Sequence, residues 1–311
     1  MEMEPQRDHR NWLATLPPPQ RSDLTRRSDA AGLRHLAGHL GMILLCGGLI
    51  AVQMPGWWLL LPVQGVMLVF LFTLAHEATH RTPFASDWLN AAAGHMAGLV
   101  IVLPFIWFRY LHFAHHRWTN IPGRDPELEQ AKPRSTAEWA LHVSGLPYWF
   151  AALRLMARLV AGRADDDFLP AAARARVVAE ARMMAVVYAL AALSLIWSPV
   201  MLWVWLVPIL LGQPVLRLYL LAEHGDCPHV ADMFLNTRTT FTTRVVRFLA
   251  WNMPYHTEHH VAPTVPFHRL PELHLLMRDR LGVTADGYAA FNRAYLARRL
   301  RGEMVAKNAS D

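Results

Sequence analysis

Long apolar stretches alternate with arginine-rich segments along this chain. Candidates for membrane-spanning helices cover about 37–54, 57–75, 94–111, 183–197 and 199–222. The junction QMPGWW, between the first two stretches, and the junction WSPV, between the last two, carry no charge. Both junctions are typical of tight turns, so we predict two transmembrane hairpins and four spans in all.

The distribution of arginine predicts on which side of the membrane the remaining segments lie. Nearly all of it falls in 1–36, 112–182 and 223–311, and the positive-inside rule places such segments in the cytoplasm. A full span at 94–111 would move 112–182 to the opposite side and break this pattern. The stretch 94–111 is therefore predicted to be a re-entrant or interfacial helix pair that is broken near Pro104.

These patterns predict one all-α integral membrane domain, 1–311, with both termini and a helical cap in the cytoplasm. The first 35 residues are polar and arginine-rich without an apolar core, so we expect no cleavable signal peptide. The predicted parts are an N-terminal segment, 1–36; spans one and two, 37–75; the re-entrant piece with part of the cap, 76–182; spans three and four, 183–222; and the rest of the cap, 223–311.

Composition supports a membrane protein and excludes two other classes. The chain is 53% hydrophobic and 17% charged, which is too apolar for a soluble protein of 311 residues. Lys and Arg outnumber Asp and Glu by 30 to 24, but no aromatic–basic motif accompanies them, so no nucleic-acid partner is expected. Cys46 and Cys227 stand in unrelated contexts and indicate neither a disulfide nor a thiolate metal site.

Histidines concentrate on the predicted cytoplasmic side. They are His76 and His80 in LAHEATHR; His112, His115 and His116 in HFAHHRW; His224 in AEHGDCPH; and His256, His259 and His260 in HTEHH. In a helix, positions i, i+3 and i+4 share one face, so each motif presents two or three imidazoles in a common direction. Zinc takes three or four ligands, whereas two iron ions at five or six coordination use about ten. The pattern therefore predicts a site for two metal ions.

One of these motifs also fits a different enzyme. HEATH matches HExxH, in which two histidines bind zinc and the glutamate, here Glu77, acts as a general base. On a membrane helix this motif is typical of an intramembrane zinc protease. Such a protease needs an aspartate ligand on another span, and 183–222 contains no carboxylate. The zinc protease is kept as an alternative.

The three boxes, HxxxH, HxxHH and HxxHH in that order, resemble those of the membrane fatty acid desaturase and hydroxylase superfamily. HHRWTNIPGRDPEL after the second box and NMPYHTEHHVAPTVPFHRLPELH around the third are similar to its bacterial desaturase-type members, and the resemblance covers roughly 70–285. It implies four membrane helices under a cytoplasmic cap, a non-haem di-iron centre and O2 as co-substrate. The metal ligands it implies are His76, His80, His112, His115, His116, His256, His259 and His260, with His224 matching an extra histidine after the fourth span.

The chain departs from the superfamily at one position. Acyl-CoA desaturases carry an asparagine one helical turn before the extra histidine, where it holds a water near the metal, and this chain has Leu220 there. Because of this departure, the sequence does not decide whether the chain belongs to the acyl-CoA desaturases. It also does not decide whether His224 is a metal ligand.

Carboxylates beside the boxes are candidates to accept hydrogen bonds from the second ring nitrogen of the ligands. These candidates are Glu77, Asp125, Glu223, Asp226 and Glu258. His229, His268 and His274 match no box and are expected to be outer or surface residues, and His95 is expected to be packed in the re-entrant piece. Four tryptophans are candidates for the mouth of a substrate tunnel, and packing at the membrane interface is the alternative favoured for most of them. They are Trp107, Trp118, Trp149 and Trp251.

The expected reaction is the removal of two vicinal hydrogens from a fatty acyl or related long hydrocarbon chain. Hydroxylation or ketolation of a lipid uses the same metals and is the main alternative, and a metal transport or sensor protein is another. The sequence has no flavin or dinucleotide fingerprint. We therefore expect electrons from an external donor such as ferredoxin or rubredoxin with its reductase.

Overall fold

A computed structural model describes residues 9–129 and 131–303. Within these residues the fold is helical apart from one short parallel pair, β1 (Thr239–Thr240) with β2 (Thr284–Ala285). The helices are α1 (His9–Thr15), α2 (Pro18–Leu24), α3 (Asp29–Ala51), α4 (Leu60–Val69), α5 (Leu71–Thr79), α6 (Asp87–Val100), α7 (Phe105–Trp118), α8 (Thr136–Val143), α9 (Leu146–Val160), α10 (Ala171–Ser194), α11 (Val207–His224), α12 (Met233–Asn236), α13 (Arg244–Leu249), α14 (His256–Val261), α15 (Leu270–Met277) and α16 (Tyr288–Leu300).

Among residues 9–129 and 131–303, four helical segments are long and apolar enough to cross a membrane. They are Pro18–Ala51, Trp57–Thr79, Ala171–Ser194 and Leu202–His224. The predicted helical fold and the predicted number of four candidate membrane spans are therefore confirmed. The third segment begins at Ala171 rather than at 183, because the alanine- and arginine-rich run before 183 is also helical and continues into the apolar part.

The stretch around Pro104 is broken as predicted. Helices α6 and α7 meet at an angle of 102°, and Pro104 stands immediately before α7. Glu180 of α10 accepts hydrogen bonds from the backbone N–H groups of Phe105 and Ile106, at 3.1 and 2.8 Å, and pairs with His95 Nδ1 at 2.6 Å. A carboxylate at these free N–H groups stabilises the start of α7, so Glu180 fixes the bend.

Helices α4 and α11 pack with their backbones in contact. A Cβ atom at Gly65 would lie 2.0 Å from the carbonyl oxygen of Pro208, and one at Gly212 would lie 2.2 Å from the carbonyl oxygen of Gly65. Phe70 and Tyr219, further along the same helices, have ring centroids 5.0 Å apart. The two helices therefore run in the same direction, and small residues permit the close approach. As a result, α5 and α11 end side by side.

The C-terminal part of the chain, 225–303, packs on the ends of the spans. Its buried side chains include Trp251, Phe267 and Met277. The indole N–H of Trp251 donates to His39 Nδ1 on α3 at 3.2 Å, and His39 Nε2 donates to the carbonyl oxygen of Met67 at 2.9 Å. These bonds tie the first span to the second and to the C-terminal part.

Candidate metal centre

Five histidines from three segments of the chain form what we call the first cluster. Their ligand nitrogens lie within 4.8 Å of one another. His80 Nε2 lies 2.8 Å from His112 Nε2, and His116 Nε2 lies 3.2 Å from His259 Nε2. The members are His76 of α5, His80 immediately after α5, His112 and His116 of α7, and His259 of α14.

Four further histidines form the second cluster beside the first. His115 of α7, His224 at the end of α11 and His260 of α14 have ligand nitrogens within 4.8 Å of one another. His256 adjoins them, with its Nε2 2.9 Å from His224 Nε2 and 3.1 Å from His260 Nε2. His224 Nε2 also lies 3.2 Å from His115 Nε2.

The two clusters share helices and touch each other. His116 of the first cluster stacks on His260 of the second, with ring centroids 4.2 Å apart. Residues 115 and 116, and residues 259 and 260, are neighbours in the chain, yet they point to different clusters because adjacent helical positions diverge by about 100°. The HxxHH spacing thus serves two sites at once.

Hydrogen bonds at Nδ1 identify which nitrogens carry lone pairs in the second cluster. His224 Nδ1 faces the carbonyl oxygen of Asn236 at 3.1 Å, and His115 Nδ1 faces both oxygens of Asp125 at 3.0 Å. His260 Nδ1 faces Thr119 Oγ1 at 3.2 Å, and that hydroxyl itself donates to the carbonyl oxygen of His115. These partners assign the ring proton to Nδ1, so in the neutral imidazoles the Nε2 lone pairs converge. Converging lone pairs repel one another unless a cation lies between them, and the arrangement therefore fits metal ions.

Burial keeps two rings of the second cluster, His256 and His260, in the form that a metal needs. Desolvation, followed by the effect of neighbouring histidines, holds the pKa of His256 and of His260 well below its usual range. A neutral imidazole is the form that coordinates a metal.

Two carboxylates predicted to support the boxes are held firmly. Glu77 Oε1 lies 3.3 Å from His259 Nδ1, while its Oε2 accepts hydrogen bonds from Thr82 Oγ1 at 2.8 Å and from the N–H of Phe267 at 3.1 Å. Asp125 accepts from the N–H of Asn120 at 2.7 Å. Burial opposes ionisation of Asp125, but the bond from His115 and the backbone bonds outweigh it and lower the pKa.

The other three predicted carboxylates differ in what they contact. Glu223 Oε1 lies 3.5 Å from His256 Nδ1. Glu258 instead accepts from His274 Nδ1 at 2.5 Å and from Thr239 Oγ1 at 2.6 Å.

Asp226 lies apart from both clusters. It accepts hydrogen bonds from Arg298 at 2.6 Å and Arg299 at 2.5 Å of α16. Its backbone has a φ of 56° just after α11 ends, which turns the side chain away from His224. Its proximity to His224 in the sequence is therefore misleading.

Several residues at the site were not expected from the sequence. Thr119 and the carbonyl of Asn236 complete the set of Nδ1 acceptors. Lys132 Nζ donates to the carbonyl oxygen of His224 at 2.9 Å and to Asn120 Oδ1 at 3.2 Å. Thr119 follows the second box closely and was within reach of a motif search, but Asn236 and Lys132 are distant in sequence. His274, expected to be an outer residue, is the partner of Glu258.

A cavity of about 710 Å³ runs beside both clusters. Of the four tryptophans proposed for its mouth, Trp107 lines it, whereas Trp251 is fully buried in the packing of the C-terminal part. Apolar side chains form much of the wall, namely Phe72, Leu103, Phe108, Leu111, Leu220 and Leu221. The histidines that reach the cavity are His76, His112, His115, His224 and His256, together with His142 outside the clusters.

This geometry, with two adjacent histidine clusters beside an apolar cavity in a helical membrane protein, agrees with what sequence comparison finds. The profile of the fatty acid desaturase family matches residues 55–292. The chain therefore belongs to the fatty acid desaturase family, and the family predicted from the histidine boxes is confirmed. The family is one of oxidoreductases, in agreement with the predicted enzyme class.

Individual relatives in this family are named as acyl-lipid desaturases. The sn-1 oleoyl-lipid 12-desaturase of Arthrospira platensis is 26% identical over 240 residues, 68% of this chain and 67% of the relative. The protein of the same name from Picosynechococcus sp. is 33% identical over 118 residues, but these cover only 35% of this chain and 33% of that relative. The sn-1 acyl-lipid omega-3 desaturase (ferredoxin) of Nostoc sp. is 34% identical over 83 residues, which cover 25% of this chain and 23% of the relative.

Proposed function

We propose that this protein is an O2-dependent di-iron oxidase of the bacterial inner membrane that introduces a double bond into a fatty acyl or related long hydrocarbon chain. The observation that carries the proposal is the convergence of nine imidazoles in two adjacent clusters, five of which line one cavity with a largely apolar wall. Family membership and relatives named as oleoyl-lipid desaturases support the same reaction.

Each cluster would hold one metal ion. His76, His80, His112, His116 and His259 would hold the first, and His115, His224, His256 and His260 the second. Iron bound there would supply the power to break an unactivated C–H bond with O2, which no side chain has. Imidazole nitrogen suits iron, and nine such donors match two iron ions better than one zinc ion.

The surrounding residues would orient the ligands and the substrate. Glu77, Asp125 and Glu223 would hold Nδ1 protons, which fixes the tautomer and ring direction of His259, His115 and His256. The apolar wall of the cavity would hold the hydrocarbon chain along the clusters and keep water away from it. Such positioning decides whether the second hydrogen leaves or oxygen returns to the carbon.

Electrons would come from a separate protein. A relative named as a ferredoxin-dependent desaturase supports a ferredoxin-type donor, and a rubredoxin with its reductase would serve the same purpose. A second cavity, of about 740 Å³, also reaches His224, and basic side chains line it among acidic ones. The arginine-rich segments around it would attract an acidic donor from the cytoplasm. The basic residues are Arg124, Lys132, Arg134 and Arg299.

Two measurements test this proposal. Purified protein is expected to contain iron near two equivalents per chain, with zinc absent. Expression in a bacterial host is expected to yield lipids that have lost two hydrogens, measured by mass spectrometry, and a His259→Ala variant at equal expression should yield none. A gain of one oxygen would instead indicate a hydroxylase. One zinc per chain with activity in the absence of O2 would indicate the protease and contradict the proposal.

A further inference from the structure

Arg217 is a charged side chain inside the fourth candidate span. It lies on α11 about two helical turns, roughly 10 Å, before His224, and it lines the same cavity as the histidine clusters. A charge within a membrane span is costly unless a partner compensates for it, and such residues are commonly functional. The groups that contact Arg217 therefore indicate whether its charge is compensated within the protein or is available to a substrate.

The protein supplies Arg217 with little compensation. Its Cζ lies 4.6 Å from the ring centroid of Tyr148, a cation–π contact. Its Nε is buried and has no hydrogen-bond partner, and among the described residues no carboxylate lies within ion-pair distance of the guanidinium. A buried donor without an acceptor destabilises the protein, which favours binding of an oxygen from outside the chain.

Two nearby acidic side chains, Glu127 and Glu223, interact with Arg217 electrostatically, but each lies closer to a histidine. Glu223 lies beside His256 and Glu127 lies 3.7 Å from His115. His142, on the same wall of the cavity, is neutral, because burial and the charge of Arg217 lower its pKa to about 4. Arg217 therefore remains a positively charged group of the cavity wall without an acidic partner of its own.

The location of Arg217 matches one end of a lipid substrate. Leu141 of α8 and Phe150 of α9 line the cavity and are 54% and 70% exposed, so this side of the cavity opens between apolar surface side chains that suit a lipid environment. Tyr148, which stacks on Arg217, lies close to Phe150 in α9. A chain entering there would pass Arg217 before it reached the histidines.

We propose that Arg217 binds an oxygen of the polar end of the substrate, either an ester carbonyl or a free carboxylate, and thereby fixes which carbons reach the metal centre. This inference rests on the proposed desaturase function. A guanidinium presents several N–H donors in a fixed plane that suits such oxygens. If the polar end is anchored at Arg217, the position of the new double bond is set by its distance from that end.

The test uses the full-length protein expressed in a host fed saturated fatty acids of increasing length. In the wild type, the double bond is expected at a constant number of carbons from the ester or carboxyl carbon, whatever the chain length. Arg217→Met is expected to lower kcat/KM by about 10- to 100-fold and to scatter the double bond over several positions, whereas Arg217→Lys should retain part of the rate. Parallel assays with phospholipid and with free fatty acid identify which oxygen is bound. Product lipids are analysed by mass spectrometry after cleavage at the double bond.

Arg174→Met is the matched control, because Arg174 is exposed on α10 outside the cavity. Iron content and thermal stability of each variant separate a binding role from a folding defect, and both should be unchanged in Arg217→Met. The inference would be overturned if the wild type placed the double bond at a constant number of carbons from the methyl end. It would also be overturned if Arg217→Met still placed the double bond at the same single position as the wild type. Loss of iron from Arg217→Met would also overturn it. If the wild type formed no unsaturated product at all, the desaturase function itself would fail and this inference with it.

Discussion

The two histidine clusters differ in the number of imidazoles and in what holds them. The first cluster has five histidines but, among the described residues, one carboxylate within ion-pair distance, Glu77. The second has four histidines, and in three of them Nδ1 is hydrogen-bonded to an acceptor, namely Asp125, the carbonyl of Asn236 or the hydroxyl of Thr119. Nδ1 of the fourth, His256, lies 3.5 Å from Glu223 without a hydrogen bond.

This difference has consequences for the metal ions that the two clusters would hold. Acceptors at Nδ1 orient an imidazole and increase its basicity, so the second cluster compensates for fewer nitrogens with better-held ones. Four ligands also leave more room for an exogenous ligand than five. Leu220 lines the cavity close to this cluster, where its apolar side chain cannot hold a water molecule. We expect the metal of the second cluster to be the more open of the two.

The largest effect is expected from removing one ligand in each cluster. His259 and His260 are adjacent on α14 but belong to different clusters, so His259→Ala and His260→Ala form a matched pair. Each should lower the iron content toward one per chain and reduce the rate of desaturation by more than about 100-fold. This loss exceeds the one that is typical when a residue hydrogen-bonded to a metal-binding histidine is removed. Mössbauer spectroscopy should show that each variant loses a different iron signal. His268→Ala, outside both clusters, should retain both signals, and identical spectra for the two cluster variants would refute two distinct sites.

A smaller effect is expected from the carboxylates behind the ligands. Glu77→Gln and Asp125→Asn keep the size of the side chain but remove the charge that supports His259 and His115. Loss of such a partner typically costs about 10- to 100-fold in metal affinity or activity. Glu77→Gln should weaken iron in the first cluster and Asp125→Asn iron in the second, measured by chelator titration of the purified protein. Equal loss from both clusters in either variant would contradict separate support.

The difference between the clusters also marks how far the sequence can predict the site. Helical spacing of the HxxHH boxes directs imidazoles to one face, so their convergence could be inferred from the amino-acid sequence alone. The division into five and four histidines could not be inferred in this way. It depends on which helices His259 and His260 meet: His259 contacts histidines of the first box and α7, whereas His260 contacts histidines of α7 and α11. The third span was predicted to start too late because arginines in 171–182 are typical of a cap as well as of a helix.

The hydrogen-bond partners of the ligands were the hardest part to predict. Asp125 and Glu77 could be identified because they lie close to or within a box, although Glu77 contacts His259 of the third box and not a histidine of its own box. Asn236 contributes a backbone carbonyl, which no residue type reveals. Glu180 caps α7 from a different span, and this contact depends on the tertiary packing of α10 against the bent pair.

The smallest effect is expected at Asp226, which is close to His224 in sequence but outside the second cluster. It is 8% exposed and pairs with Arg299, which is 7% exposed. Asp226→Asn should leave iron content and the rate of desaturation within about twofold of the wild type, because no ligand nitrogen depends on this carboxylate. Thermal unfolding in detergent should show a loss of about 1–3 kcal/mol, since hydrogen bonds to charged groups at α16 are weakened. Asp125→Asn is the matched comparison, because it makes the same chemical change at a carboxylate that does contact a histidine of the second cluster. If Asp226→Asn lost as much iron as Asp125→Asn, the second cluster would extend further than its hydrogen bonds indicate.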